Sequence, residues 1–72
     1  MQVEVKSEIT GMVWKVLVQV GARVLEGESL MILESMKMEI PLLSPTDGVV
    51  HEIRTLEGSA IAEGDVAVIL TE

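Results

Sequence analysis

The sequence predicts an all-β protein, folded as a closed sandwich or barrel of about eight short strands. Hydrophobic residues make up 49% of the chain, with one Trp and no Tyr or Phe, so the core is expected to be aliphatic. The apolar runs are short and separated by glycines and other turn residues, as in sandwiches and barrels. No segment keeps a helical apolar period across three turns.

An internal repeat supports this fold class. At an offset of 37 residues, Gly11, Gly21 and Gly27 recur as Gly48, Gly58 and Gly64. Seven more positions match in kind, namely Val13, Val16, Val24, Glu26, Glu28, Ile32 and Leu33 with Val50, Ile53, Ile61, Glu63, Asp65, Ile69 and Leu70. Because glycine adopts left-handed backbone without strain, matched glycines predict matched turns. We therefore expect two four-stranded antiparallel sheets related by a pseudo-twofold axis.

The strands follow in order from apolar alternation between turn signals. The first half predicts a loop through Gly11, turns at Gly21 and Gly27, and strands over Gln2 to Lys6, Val13 to Val20, Arg23 to Leu25 and Ser29 to Leu33. The second half predicts strands over Glu39 to Leu43, Val49 to Thr55, Ala60 to Ala62 and Val66 to Thr71. They are separated by a turn through Ser44 to Gly48 and by turns at Gly58 and Gly64. Pro41 has no amide hydrogen, so we expect either that its nitrogen faces outward or that its strand lies at a sheet edge.

The repeat also resolves which way two strands face. Simple alternation would bury Trp14, but the residue matching it in the second half is His51, a poor core residue. We therefore place Val13 and Val50 inside and leave Trp14 and His51 partly exposed. That arrangement requires a bulge or twist before Val16 and Ile53.

Composition narrows the functional classes. A chain of 72 residues predicts one domain, 1–72, with a small core. The absence of cysteine excludes disulfides and thiolate sites and is compatible with a reducing cytoplasm, where we expect the protein. No apolar run approaches the ~20 residues that span a bilayer, and a net charge of −7 makes nucleic acid and anionic membranes poor partners.

The central stretch, Glu34 to Glu39, carries the functional signal. The apolar runs on either side predict strand, tight reversal and strand, with Lys37 at the tip. Two-residue hairpin turns favour Asn-Gly or Gly because they need positive φ, and Met or Lys does not suit that backbone. A lysine held on a rigid turn between the adaptable thioethers of Met36 and Met38 is well placed to present its amine to a modifying enzyme.

No other feature predicts catalysis. His51 is the only histidine and has no cysteine or suitably placed serine to activate, so we expect neither a catalytic triad nor a metal site. A chain with one displayed amine and no catalytic group is best interpreted as a carrier. The offset also maps Glu34 and Ser35 onto Thr71 and Glu72, which predicts Lys37 at one end of the sandwich and the chain termini at the other.

Glu34-Ser35-Met36-Lys37-Met38-Glu39 resembles the attachment motif of biotin carboxyl carrier domains, in the biotinyl/lipoyl family, where the lysine between two methionines becomes biotinylated. The resemblance runs the full chain, and Ser35 departs from the more usual alanine. It implies a barrel-sandwich hybrid, which is a flattened sandwich. Between the strand over Val13 to Val20 and Gly21 there is no room for the protruding thumb of some bacterial biotin carriers. It further implies covalent biotin on Lys37, with Met36 and Met38 as flanking recognition residues and Glu34, Ser35 and Glu39 as hairpin context.

The same resemblance implies partners and leaves alternatives. The partners would be a biotin protein ligase, an ATP-dependent biotin carboxylase and a carboxyltransferase acting on an acyl-CoA or a 2-oxo acid. Lipoyl carriers share the fold but usually have Asp before the lysine and Ala after it. An unmodified assembly domain, like those of membrane-fusion adaptors, would not need a lysine at the tip. We expect a stand-alone attachment protein, with an excised carboxylase domain as the alternative.

Overall fold

The computed structural model describes all residues, 1–72, and contains eight strands and no helix. The first four strands are β1 (Gln2–Lys6), β2 (Gly11–Val16), β3 (Arg23–Val24) and β4 (Ser29–Ser35). The second four are β5 (Met38–Leu43), β6 (Gly48–Ile53), β7 (Ala60–Ile61) and β8 (Val66–Thr71). With no helix present, no helical segment is long and apolar enough to cross a membrane.

The strands form two four-stranded sheets, in the orders β1-β8-β6-β3 and β5-β4-β2-β7, and every pairing is antiparallel. Advancing each strand by 37 residues exchanges β1 with β5, β2 with β6, β3 with β7 and β4 with β8, so it exchanges the two sheets. This is the predicted pseudo-twofold relation, and the predicted sandwich is confirmed. The molecule measures 33 × 17 × 17 Å.

The core lies between the sheets and is aliphatic apart from one methionine. The central strands β4 and β8 supply the longest apolar runs of this core, Leu30 to Leu33 and Val66 to Leu70. Twelve side chains form one buried cluster: Val5, Val13, Val24, Leu30, Met31, Leu33, Leu42, Val50, Ile61, Ala67, Val68 and Leu70. Each large side chain contributes roughly 1.5 to 3 kcal/mol by leaving water.

The two predicted irregularities lie where the repeat places them. The β2–β4 register shifts between Val13 and Lys15, and the β6–β8 register shifts between Val50 and Glu52. The inserted residues are therefore Trp14 and His51, and both are exposed while Val13 and Val50 are buried. A bulge lets a strand bury the residue before it and turn the inserted side chain outward. The prediction from the repeat is confirmed.

Some strand limits differ from those that the sequence predicts. β2 ends at Val16 instead of Val20, because after the Leu17 amide bonds to the Leu30 carbonyl (3.0 Å) the chain turns, with the Ala22 amide bonded to the Gln19 carbonyl (3.0 Å). Gly11 and Gly48 begin strands instead of lying in a loop and a turn, and neither has positive φ. The other limits lie within two residues of prediction.

Two buried serines, Ser7 and Ser44, also obey the offset, although the sequence comparison did not single them out. Their hydroxyls donate to the carbonyls of Ile9 (2.7 Å) and Thr46 (2.6 Å) respectively. Each serine backbone also exchanges two hydrogen bonds with a nearby tight turn, through Gly64 N and Asp65 O for Ser7 and through Gly27 N and Glu28 O for Ser44. Buried hydroxyls that are fully bonded in this way hold both ends of the sandwich in the same manner.

Pro41 lies on β5, which is an edge strand as predicted. The proline pairs with Ile32 of β4. An edge strand is hydrogen-bonded on one side only. A proline whose nitrogen faces the open side therefore removes no hydrogen bond between strands.

Candidate functional site

The tip of the β4–β5 hairpin is a two-residue turn made of Met36 and Lys37. Ser35 and Met38 are the last paired residues on either side. Met36 has φ 52° and Lys37 has φ 64°, and these are the only non-glycine residues with positive φ. Positive φ at both central positions is the pattern of a type I′ turn. Left-handed backbone costs an ordinary L-residue about 1 kcal/mol or more, so the turn carries strain of the kind found at functional sites.

The side chains of this turn point into solvent. Met36 is 91% exposed and Met38 is 62% exposed, so neither methionine is a core residue. Lys37 is exposed as well. The one salt bridge in the structure joins Arg54 to Glu52, which leaves the Lys37 ammonium without a carboxylate partner. The amine is therefore free to enter another protein.

The base of the hairpin is held firmly. The Ser35 hydroxyl donates to the Thr10 carbonyl (3.1 Å), and the Thr10 hydroxyl accepts from the Glu63 amide (3.1 Å). Gly11 lies against the backbone of Glu34 so closely that a Cβ on Gly11 would overlap the Glu34 carbonyl oxygen. These contacts join the hairpin to the segment before β2 and to the turn before β8. Ser35 thus has a bond that the alanine usual in the resembling motif could not make.

Glu34 and Glu39 face each other directly across the hairpin. Both are exposed, and neither takes part in a salt bridge. Like charges placed opposite one another disfavour a strand pair. The acidic pair therefore does not favour the hairpin, and it gives the flank of the tip a negative charge.

The chain termini lie at the opposite end. The Glu72 amide donates to the Met1 carbonyl (3.0 Å), and the Thr46 hydroxyl donates to a Glu72 carboxylate oxygen (3.1 Å). Thr46 follows Ser44, whose amide bonds to the Glu28 carbonyl (2.8 Å) just before β4 begins. The seven residues of β4 cover about 20 Å, and the Lys37 turn follows their far end. This is the separation of tip and termini that the repeat predicts.

An open groove of about 940 Å³ lies between the edge strands β1 and β5, and none of residues 34–39 lines it. No group of three His, Asp or Glu side chains is placed to hold a metal ion. His51 lies on the exposed bulge of β6, in the other sheet. The arrangement is therefore one exposed amine at a projecting end of the sandwich. This suits an amine that reacts, or carries an attached group, inside the active site of another protein.

Comparison with known proteins agrees with this geometry. The family model of the biotin/lipoyl type, described as that of a biotin-requiring enzyme, matches residues 4–70. The chain belongs to the biotin/lipoyl family. It is 42% identical over 67 residues to the biotin/lipoyl attachment protein of Bacillus subtilis, covering 93% of this chain and 92% of that protein. It is 37% identical over 68 residues to the biotinylated protein TB7.3 homolog of Mycobacterium leprae, covering 94% and 96%.

Solved structures extend the likeness to carboxylases. The crystal structure of Kluyveromyces lactis urea carboxylase superposes with a TM-score of 0.93 at 30% identity, covering 99% of this chain and 6% of the enzyme. This biotin/lipoyl chain thus matches one small part of the large urea carboxylase. It matches nearly the full length of the two small relatives. The family and the fold expected from Glu34 to Glu39 and from the repeat are confirmed, and the expected cofactor, biotin, is the one that the matching family requires.

Proposed function

We propose that this protein is a biotin carboxyl carrier and that Lys37 is the residue to which biotin is attached. The observation that carries the proposal is the strained, fully displayed Met36–Lys37 turn on a firmly held hairpin. The bond formed is an amide between Lys37 Nζ and the carboxyl carbon of biotin. Nζ attacks an enzyme-bound biotinyl adenylate, AMP leaves with the pair of electrons of the broken acyl–phosphate bond, and the amine gives up its protons to the medium.

Attached biotin would carry a carboxyl group from one active site to another. The chain contributes the tether. Because the turn is short and its base is bonded to Thr10, the tip moves with the whole sandwich instead of swinging loosely. Tethering makes each visit to an active site nearly intramolecular, which raises the effective concentration of the carried group. The protein itself is a carrier without catalytic residues.

The partners follow from this role. A biotin protein ligase attaches the group, an ATP-dependent biotin carboxylase loads it, and a carboxyltransferase unloads it on an acyl-CoA or a 2-oxo acid. Support comes from relatives named pyruvate carboxylase of Staphylococcus aureus and methylcrotonoyl-CoA carboxylase subunit alpha, mitochondrial, of Glycine max. They are 37% and 39% identical over 62 residues, which are 5% and 8% of their own lengths. All three partners and this carrier would work in the cytoplasm, where the cysteine-free chain is at no disadvantage.

Lipoyl attachment at the same lysine is the second candidate. It is favoured by one observation, the 42% identity to a protein named for both biotin and lipoyl attachment. The two methionines around Lys37 favour biotin. Intact mass after expression with each cofactor and its ligase distinguishes the two groups.

The experiment that tests the proposal substitutes Lys37. Lys37→Arg keeps the charge and the fold and is expected to abolish biotin uptake, whereas Lys6→Arg and Lys15→Arg, both at strand positions, should be biotinylated normally. The exchange Met36→Lys with Lys37→Met keeps composition and moves the amine by one residue. It should reduce the initial rate of biotin transfer at least tenfold, because a misplaced amine loses the alignment that transfer needs.

Avidin blotting and intact mass give the readout, with circular dichroism to confirm the fold. Avidin reactivity that persists in Lys37→Arg would contradict the assignment of Lys37. Equal transfer rates for the parent and the exchanged variant would show that the rigid turn does not matter.

A further inference from the structure

The pseudo-twofold axis gives the protein two equivalent outer sheet faces, and their side chains differ. On the sheet that carries the hairpin, β2 turns Met12 and Trp14 outward, 46% and 44% exposed. The matching residues on β6 are Val49 and His51. One outer face is therefore apolar and aromatic where the other carries a smaller aliphatic residue and an imidazole.

The outward residues next to these positions are also more apolar on the sheet that carries the hairpin than on the other sheet. Next to Trp14, the outward residues Lys15, Ile32 and Pro41 lie in one row across β2, β4 and β5. The equivalent row in the other sheet is Glu52, Ile69 and Glu4, in which the isoleucine is buried and Glu52 is paired with Arg54 at 3.2 Å. We name the first surface the Trp14 face and define it as Met12, Trp14, Lys15, Ile32 and Pro41.

The Trp14 face is continuous with the hairpin tip. Met12 pairs with Glu34, which is three residues from Lys37, and Trp14 lies beside the next two residues of β4. At about 3.3 Å per residue, Met12 and Trp14 are roughly 10 to 17 Å from the tip. A protein interface of standard size covers about 800 Å² on each partner, a disc of about 16 Å radius. An enzyme centred near the tip and approaching from this side would cover both side chains.

The enzyme that attaches biotin has to make such a contact. Before attachment, the reacting group is the lysine amine alone, which reaches only about 6 Å beyond its Cα. The active site of that enzyme must therefore come within a side-chain length of the turn. The turn itself supplies few contacts, so most of the interface area must come from the surface beside it.

We propose that the biotin-attaching enzyme docks on the Trp14 face, with Trp14 as the anchor in an apolar pocket. This docking rests on the proposed function and adds to it the surface that is bound. Tryptophan is the residue most enriched at energetic centres of interfaces. The Lys15 ammonium lies 5.7 Å from the centroid of the Trp14 ring, which steadies the ring on the surface. The exposed carboxylates of Glu34 and Glu39, at the tip end of the face, call for basic groups on the enzyme.

The pseudo-symmetry supplies the test variants. Trp14→His places on β2 the residue that already occupies the same bulge on β6, so the backbone tolerates it. His51→Trp is the reciprocal change and puts an indole on the face far from the reaction. Trp14→Phe keeps an apolar aromatic ring. None of these variants changes the Met36–Lys37 turn.

The measurement is steady-state biotin transfer by a bacterial biotin protein ligase with biotin and ATP, with the concentration of the unmodified 72-residue protein varied. We expect Trp14→His to raise KM about tenfold or more with kcat within twofold of the parent, because the amine is presented as before once the complex forms. Trp14→Phe should recover most of the loss, and His51→Trp should leave both constants unchanged. Circular dichroism confirms that each variant is folded.

A second measurement uses the fact that Trp14 is the only tryptophan of the chain. Protein labelled with 5-fluorotryptophan gives one ¹⁹F resonance, which should shift or broaden on addition of the ligase. A KM for Trp14→His within twofold of the parent, or a ¹⁹F resonance unmoved at saturating ligase, overturns the docking surface while the carrier function stands. If the parent takes up no biotin, the carrier function and the docking surface are both wrong.

Discussion

The two ends of the sandwich are built to one plan and differ in one connection. At the reactive end β4 continues into β5 through Met36 and Lys37, whereas at the other end β8 and β1 meet as chain termini, joined by the bond from the Glu72 amide to the Met1 carbonyl. The residues that bracket the turn and the residues that end the chain are related by the offset of 37. The same strand geometry is therefore seen once closed by a peptide link and once open.

The comparison shows what covalent closure does. With two residues to cross between the strands, the chain takes positive φ at both, although neither is a glycine. The open end has no such constraint. Closure thus creates the strain, and it also keeps the lysine in one direction. Only the closed end has an acidic pair, Glu34 and Glu39. The residues that match them by the offset of 37 at the open end are Thr71 and Gln2.

The largest difference between the ends is expected at the glycines that lie beneath them. A Cβ on Gly11 would overlap the Glu34 carbonyl, and one on Gly48 would lie 2.7 Å from the Thr71 carbonyl oxygen. The overlap at Gly11 is the deeper of the two, and the Glu34 carbonyl that it meets belongs to the closed hairpin. Gly11→Ala should cost about 3 kcal/mol of unfolding free energy and Gly48→Ala about 1 kcal/mol.

Urea denaturation of the two alanine variants measures these costs. Gly11→Ala should also slow biotin transfer, since it displaces the base of the hairpin, and Gly48→Ala should not. Equal costs would show that closure does not stiffen the reactive end.

A smaller effect, equal in both halves, is expected at the turns before β4 and β8. Gly27 and Gly64 have φ 86° and 92°, and both would place a new Cβ in open space. Strain in the backbone is therefore the only penalty, and Gly27→Ala and Gly64→Ala should each lose about 1 kcal/mol. Denaturant midpoints decide this, and two alanine variants more stable than the parent would contradict the assignment of these turns.

The smallest effect concerns strain in the reactive turn itself. Asparagine accepts left-handed backbone better than methionine, so Met36→Asn should raise the free energy of unfolding by about 0.5 kcal/mol. The same change removes a thioether beside Lys37 and should lower the rate of biotin transfer. Thermal unfolding measures the change in stability, and transfer kinetics on the same preparation measure the change in the rate of biotin transfer. A variant that is no more stable than the parent would mean that the turn is not strained at Met36.

Much of this protein could be predicted from its sequence because the repeat makes one half a check on the other. The match of Trp14 with His51 was enough to place both bulges and to bury Val13 and Val50. The strands, the two sheets, the position of Pro41 at an edge and the tip position of Lys37 follow from local apolar patterns and turn residues, which short-range sterics control.

Other features depended on contacts between distant residues and could be seen only in the folded chain. Gly11 looks like a turn glycine in the sequence, but it lies in a strand, and it has to be glycine because the Glu34 carbonyl occupies the space that a side chain would take. The hydroxyl of Ser35 finds its acceptor at Thr10, 25 residues away. Which outer face meets the tip is likewise a matter of tertiary structure. Local patterns determine which residues become strands, but the packing of two sheets decides which surfaces come together around Lys37.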